Sequence, residues 1–329
     1  MTILVTGGLG FIGSNTILQL YSSGYEVVIV DNLSNSEIKT LEVLKSYLKR
    51  DIVFYRADVR DFEALDKIFS KYNFLAVIHF AGLKSVSESV SNPLGYFDNN
   101  IIGTISLLKA MQKHECEFII FSSSASVYGE TNILPISEDS NLKATNPYAE
   151  SKLIIEYILS SMQTNSFKIG ILRYFNPVGG HRSHLFGEKP IGKPNNLMPY
   201  ICQVAAGNVD FLEVFGGNYD TPDGTGVRDY IHVTDLARGH IDVLKYLSLE
   251  NNSITVNLGT GSGFSVIDVI KTFEKVNKVS VPYKITPRRP GDVPSCYADT
   301  EFARKVLGWK AKYGLAEMCM DSWLSFKQQ

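Results

Sequence analysis

The sequence is poor in cysteine. Four stand in 329 residues (Cys116, Cys202, Cys296, Cys319), far apart and without CxxC spacing. That excludes a disulfide scaffold and fits a reduced, cytoplasmic protein. Long apolar runs are missing too: no uncharged apolar run reaches 18 residues, so no membrane span is expected. Neither sign of charge is in excess. Thirty-two Lys+Arg face 34 Asp+Glu, the net charge is −2 and the pI about 6.3. Nothing there provides a basic field for nucleic acid or an anionic membrane. Met1-Thr2 lead straight into the apolar run 3–5, leaving no room for a signal peptide. Internal repeats, low-complexity segments and metal-ligand clusters are not seen either.

What is present is an alternation. Apolar runs of strand length lie at 3–6, 27–30, 52–55, 76–80, 118–122 and 169–173, with helical patterns at 12–22, 38–49, 62–72, 94–114 and 148–163 between them. Short strands separated by helices mean βαβ units and a doubly wound parallel sheet, an α/β fold of Rossmann type. Residues 176–199 then hold four prolines and four glycines and few apolar runs. They read as a connection into a smaller C-terminal α/β lobe, with strands at 211–215, 255–258 and 283–285. Helices are expected there near 200–206, 234–247, 265–276, 301–307 and 315–327. A chain this long exceeds a single core, so the expected domains are 1–175 for a dinucleotide and 176–329 for a substrate, with some segments returning to the first lobe.

Gly7, Gly10 and Gly13 follow the first strand and open the first helix. Their places suit a tight turn, backbone approach to a pyrophosphate, and close helix–sheet packing, with the helix amino terminus facing the phosphates. Their spacing, G-x-x-G-x-x-G, is one residue longer than the usual dehydrogenase form. Asp31 stands 18 residues after Gly13 at the end of the second strand, where a carboxylate accepts from adenosine ribose hydroxyls and repels a 2′-phosphate. No Arg or Lys lies within 32–36, which favours NAD over NADP. Asp58-Val59 after the third strand suit the adenine, or Asp58 is a cap for the next helix.

Tyr148 and Lys152 stand four residues apart, on one face of a helix. The ammonium can stabilise a phenolate and so make a base beside a nicotinamide. With 17 tyrosines and 32 Lys+Arg in the chain, such a pair also arises by chance, so its context decides.

That context is a set of motifs in fixed order: Thr6–Gly13, Asp31-Asn32-Leu33, His79–Lys84, Asp98-Asn99-Asn100, Phe121–Ser124, Val127-Tyr128-Gly129, Tyr148 with Lys152, Arg173–Pro177, Pro194–Tyr200, Asp223–His232 and Arg288–Asp292. Together they resemble the extended short-chain dehydrogenase/reductase family and, within it, the UDP-glucose 4-epimerases, over nearly the whole chain. The resemblance implies NAD contacts from Phe11, Ile12, Asp31, Asn32, Leu33, Ser34, Asn35, Ser36, Asp58, Val59, Phe80, Ala81, Gly82, Leu83, Lys84, Asn99, Tyr148, Lys152 and Phe175. It implies a UDP-sugar held by Asn176, Asn196, Leu197, Phe215, Arg228, Tyr230, Arg289 and Asp292, with Lys84, Ser124 and Tyr148 near the sugar. Paired donors of Arg228 and Arg289 suit a pyrophosphate, and the flat face of Phe215 suits uracil. A homodimer through 94–114 and 148–163 is also implied.

On this reading Tyr148 takes the 4-OH proton, Ser124 bridges Tyr148 and the sugar, and C4 gives hydride to NAD. The 4-keto sugar then turns, and hydride returns to its other face. A phenol of pKa about 10 needs a shift of roughly 3 units, about 4 kcal/mol, to act near neutrality, supplied by Lys152 and the cationic nicotinamide. Two alternatives are a 4,6-dehydratase, which needs an acidic pair where this chain has Ser123-Ser124-Ala125-Ser126, and a non-catalytic NAD/UDP-sugar-binding protein. Cys296 falls at a pocket-wall position where members confined to UDP-glucose and UDP-galactose carry tyrosine. A small residue there leaves space for an acetamido group, unless neighbouring Tyr297 fills it. The expectation is use of both UDP-Glc/UDP-Gal and UDP-GlcNAc/UDP-GalNAc, in galactose use or polysaccharide precursor supply.

Overall fold

The computed structural model describes all residues except 132, 164–166, 191, 193, 195, 290, 291 and 329. Asn195, Pro290 and Gly291 of the quoted motifs therefore lie outside the described residues.

From the amino terminus, β1 (Thr2–Thr6), α1 (Phe11–Ser22), β2 (Glu26–Asp31), α2 (Ile38–Leu48), β3 (Val53–Arg56), α3 (Phe62–Phe69) and β4 (Phe74–His79) alternate. Next come α4 (Val86–Ser91), α5 (Pro93–Phe97), a π-helical turn Asp98–Ile102, α6 (Gly103–Lys113), β5 (Phe118–Ser124), α7 (Pro147–Met162) and β6 (Lys168–Tyr174). The expected single helix 94–114 is thus two helices joined by a π turn, a widening that occurs often at functional sites. The polar stretch of α4 was not expected to be helical. The remainder holds β7 (Asn176–Val178), α8 (Leu197–Ala205), β8 (Leu212–Phe215), β9 (Val227–His232), α9 (Val233–Glu250) and β10 (Ile254–Leu258). It ends with β11 (Gly263–Ser265), α10 (Val266–Asn277), β12 (Tyr283–Thr286), β13 (Ser295–Cys296), α11 (Glu301–Leu307) and α12 (Leu315–Phe326).

The chain divides into two compact units. One contains residues 1–129, 141–173 and 237–256; the other 130–140, 174–236 and 257–329. The first is built on a seven-stranded sheet of order β10-β6-β5-β4-β1-β2-β3. β1 pairs in parallel with both β2 and β4, so the strand order reverses between β1 and β4. Crevices at such reversals are where open α/β sheets bind ligands. Ile3, Leu4, Val5, Ile29, Val77, Ile78, Ile119 and Ile120 are fully buried or nearly so. Their near-continuous apolar runs follow from helices covering both faces of the sheet. β10, expected in the second lobe, is instead an edge strand of this sheet.

The second unit carries a small sheet of order β11-β9-β13, with β7 also paired to β9, and a two-stranded parallel sheet β12-β8. Its core gathers Met198, Ile201, Val214, Ile270, Phe273, Met318 and Trp323.

Candidate active site

The glycine turn is built where the sheet reverses. Gly7 has φ +66°, and a Cβ there would lie 2.7 Å from the Ala81 nitrogen. Only glycine tolerates both the left-handed backbone and that approach between the ends of β1 and β4. A Cβ on Gly13 would lie 2.5 Å from the Gly7 oxygen, so α1 packs against the turn closely enough to forbid a side chain. Gly10 is the residue before α1, and the free N–H groups of the first helical turn follow it.

Asp31 closes the same turn. Its Oδ2 accepts from the Leu9 N–H at 3.1 Å, and its Oδ1 from the Leu33 N–H at 3.0 Å and the Ser36 hydroxyl at 2.8 Å. A carboxylate has about four acceptor positions, so the chain leaves one, on Oδ2, rather than the two that a pair of ribose hydroxyls would use. Asn32 donates to Asp58 at 2.9 Å, and Ser34 and Asn35 are exposed beside it. Arg60 grips Asp58 through Nε and Nη2 at 2.9 Å each, which holds its carboxyl well below the usual range. Asp58 is not the helix cap; Asp61 is, accepting from the Ala64 N–H at 3.0 Å. Val59 is buried against Gly103. Phe80 packs on His240 with tilted rings, centroids 4.9 Å apart.

Asn100, in the π turn, organises the next stretch. It accepts from the Leu83 N–H at 2.8 Å and donates to the Leu83 oxygen at 3.1 Å and to Ser151 at 2.9 Å. Asn99 donates to Asn100 at 3.0 Å, so the bridging residue is Asn100 and not Asn99. This fixes the segment Ala81-Gly82-Leu83-Lys84 against α7. Below it, His79 in β4 is buried between Thr6 at 2.7 Å and Thr104 at 3.0 Å, and burial pushes its pKa down to about 3.

α7 starts where Asn146 caps it, accepting from the Ala149 N–H at 2.9 Å, with Pro147 at its first position. Tyr148, Lys152 and Glu156 follow at intervals of four and share one face. The end of β5 meets each of them. Ser124, inside the strand rather than after it, donates to the Ser126 hydroxyl at 3.0 Å and lies near enough to the Tyr148 phenol to lower its pKa. The Ser122 oxygen accepts from Lys152 Nζ at 2.7 Å. Ser123 donates to Glu156. Lys152 is 5% exposed, and burial draws its pKa down to about 8 against the opposing pull of Glu156. Its Nζ lies 5.9 Å from the Tyr148 ring centroid and 4.8 Å from that of Phe121.

Burial raises the Tyr148 pKa, while the Ser124 hydrogen bond and the charge of Lys84 lower it. Lys84 thus acts on the phenol by charge, while the Lys152 ammonium donates to the Ser122 carbonyl. Glu156 and Arg173, given no role by sequence reasoning, form a buried pair through Arg173 Nε at 3.1 Å and Nη2 at 2.7 Å. The signal for Glu156 was its place one turn beyond Lys152.

In the second unit, β9 presents Arg228, which donates to the Val227 oxygen at 2.9 Å and lies 3.9 Å from Asp292. The Arg289 guanidinium sits 3.8 Å from the centroid of Phe215, at the end of β8. Asn196 precedes α8 and donates to Glu188 at 2.8 Å; Leu197 begins that helix. Asn176 is exposed at the start of β7, in register with Tyr230. Tyr230 and Phe175 are buried, Tyr230 within the second unit's core cluster. Cys296 on β13 is in register with Arg228 and half-buried. The Tyr297 ring packs by Gly263, where an added Cβ would lie 3.1 Å from Cδ1.

Known proteins share this arrangement over their full length. Residues 4–322 match the family model described as GDP-mannose 4,6 dehydratase. The chain is 53% identical over 325 residues to a UDP-glucose 4-epimerase of Bacillus subtilis, covering 98% of this chain and 96% of that one. A UDP-glucose-4-epimerase structure from Stenotrophomonas maltophila, with bound NAD and formylated UDP-arabinopyranose, superposes with TM-score 0.98 at 47% identity, covering 100% and 98% of the two chains. One from Bifidobacterium longum, in complex with NAD+ and UDP, gives 0.96 at 48% identity, with 100% and 98% covered. With half its residues in common with such enzymes from end to end, the chain belongs to the UDP-glucose 4-epimerase family.

Proposed function

We propose that this chain catalyses NAD-dependent 4-epimerisation of UDP-hexoses, interconverting UDP-glucose and UDP-galactose. The observation that carries the reading is the convergence of Tyr148, Lys152 and Ser124 at the end of β5, in the unit that also holds the Gly7–Gly13 turn. Residues 122–128 contain no carboxylate, and the nearby Glu156 is engaged by Arg173 and Ser123, which speaks against dehydration. Conversion of UDP-galactose to UDP-glucose by the purified protein tests it; no conversion overturns it.

The residues fit NAD on structural grounds: glycine is obligatory at positions 7 and 13, and Asp31 retains an acceptor position. Asp31 would hold the adenosine ribose, the first turn of α1 the pyrophosphate, and Lys152 and Tyr148 the nicotinamide end. When bound there, NAD would supply a reversible hydride acceptor for C4 of the sugar, so that a 4-keto sugar could be reduced again on its opposite face. Tyr148 accepts the 4-OH proton at its phenolate oxygen and gives it back on reduction. Ser124 would turn its hydroxyl from Ser126 to that oxygen, and Lys84 lowers its proton affinity by charge. Phe215 stacks the base, and Arg228 and Arg289 hold the phosphates while the sugar turns.

The small side chain of Cys296, with Tyr297 directed to Gly263, supports use of the N-acetylated pair as well. A homodimer is supported by apolar side chains left exposed on helices of the first unit: Val90 (65%) on α4, Leu94 (78%) on α5 and Tyr157 (60%) on α7. Sedimentation of Leu94→Glu beside the wild type tests this, with a monomer expected from the variant and an unchanged dimer contradicting it. Four free cysteines, three of them buried, support residence in the cytoplasm.

A further inference from the structure

Of the three serines that end β5, two are hydrogen-bonded to successive turns of α7 and the third lies near its first turn. Ser124 lies near Tyr148, the Ser122 carbonyl takes Lys152, and Ser123 takes Glu156. The first two contacts serve residues of the proposed chemistry. The third leads away from it, into the sheet. Glu156 accepts from Arg173 Nε at 3.1 Å and from Nη2 at 2.7 Å, and Arg173 Nη1 donates to the Tyr128 hydroxyl at 3.0 Å. Both members of the ion pair are almost wholly buried. A buried carboxylate–guanidinium pair is poor value as a stabiliser, since hydrophobic residues of equal volume often do as well. Its retention beside the site asks for another use.

We propose that Glu156 is a positioning residue for the epimerase reaction: through Ser123 it fixes the register of α7 on β5, and through its charge it keeps the Lys152 ammonium protonated in a buried place. The proposal rests on the 4-epimerase reading. Its geometry is one helical face, Tyr148-Lys152-Glu156, facing one strand end, Ser122-Ser123-Ser124. Burial acts against the charge of Lys152, and Glu156 is the group on the chain that opposes it. The other charged or titratable groups around Lys152 are Tyr148 on α7, His79 on β4, Lys84 after β4 and Arg173 on β6. His79 is neutral between Thr6 and Thr104, and Lys84 and Arg173 are cations. While Tyr148 holds its proton none of these favours a second positive charge, so the carboxylate of Glu156 is then the compensating group.

Two variants separate charge from anchoring. Glu156→Gln keeps the volume and an acceptor for Ser123 but removes the charge. Ser123→Ala removes the anchor but keeps the carboxylate on Arg173. The measurement is the pH dependence of kcat and KM for UDP-galactose with NAD-loaded protein. For Glu156→Gln the alkaline limb of kcat moves to lower pH by about one unit or more, while KM changes little. For Ser123→Ala kcat falls at every pH and the limb stays where the wild type has it. An unmoved limb in Glu156→Gln overturns the proposal, as does an equal movement in Ser123→Ala. Should Glu156→Gln not fold, Glu156→Gln/Arg173→Met removes the carboxylate without stranding a guanidinium, and a smaller movement in the same direction is expected because the opposing charge of Arg173 goes with it; an unmoved limb there overturns the proposal too. A wild type that does not convert UDP-galactose at all overturns the 4-epimerase reading instead, before any variant is compared.

Discussion

Lys152 donates from Nζ to the Ser122 carbonyl at 2.7 Å, which pins the ammonium to the end of β5. Burial draws the Lys152 pKa down to about 8. The ammonium form is therefore full at neutral pH and lost as the pH rises through that value. Activity is expected to fall on the alkaline side with a midpoint near it. Lys152→Arg, whose guanidinium stays protonated, removes the limb at the cost of lower activity. A pH–rate profile of both proteins checks this; a variant that keeps the wild-type limb contradicts it.

His79 gives a second pH effect, on stability. Its folded pKa of about 3 lies below the ordinary 6.5. As pH falls through 6.5 the unfolded chain takes up a proton that the folded chain refuses, so stability drops, by up to about 1.4 kcal/mol per unit, until the folded value is reached. His79→Asn cannot be charged and keeps polar atoms for Thr6 and Thr104. Urea midpoints across mildly acidic pH should fall less steeply in the variant than in the wild type.

The first unit was readable from sequence because most of its strands are buried, the edge strand β3 excepted, and α3, α5 and α7 start on capping Asp or Asn side chains. Boundaries of β1, β2, α1 and α7 were expected within a residue or so. What escaped had physical reasons. α4 is too polar and short to show a period, and β7 contains a proline. β9 alternates charged and apolar residues, so it was read as a binding motif and not as a strand. β10 resembles any short apolar run, and only its pairing with β6 places it in the first sheet. At the site, the Tyr148–Lys152 pair was legible from spacing, whereas Glu156 and Asn100 act through partners distant in sequence. The direction of the Tyr148 shift also escaped, since burial is a property of the fold.

Arg289 lies over Phe215 at 3.8 Å, so the residues expected to hold phosphate and base already support one another. Arg289→Ala removes a charge-assisted contact that is the same for substrate and transition state. KM for UDP-galactose should rise by about 10- to 100-fold, with kcat changed far less. Steady-state kinetics decide it; a loss confined to kcat would remove Arg289 from binding.

Cys296 is in register with Arg228, and Tyr297 is packed by Gly263. Cys296→Tyr should suppress turnover of UDP-GlcNAc by tenfold or more, about 1.4 kcal/mol, and leave UDP-galactose turnover largely intact. Comparing kcat/KM on both pairs tests the pocket. Wild type inactive on UDP-GlcNAc, or a variant that retains that activity, ends the argument.

The central claim is oxidation and re-reduction at C4 through Tyr148. It is tested most directly by following UDP-galactose by proton NMR in deuterated water, with wild type and Tyr148→Phe side by side. The account predicts that wild type forms UDP-glucose with unexchanged protons at C4 and C5. It also predicts that Tyr148→Phe still binds NAD while turnover falls by roughly 10²–10⁴-fold. A 4-keto-6-deoxy product, or wild-type turnover in Tyr148→Phe, would contradict it.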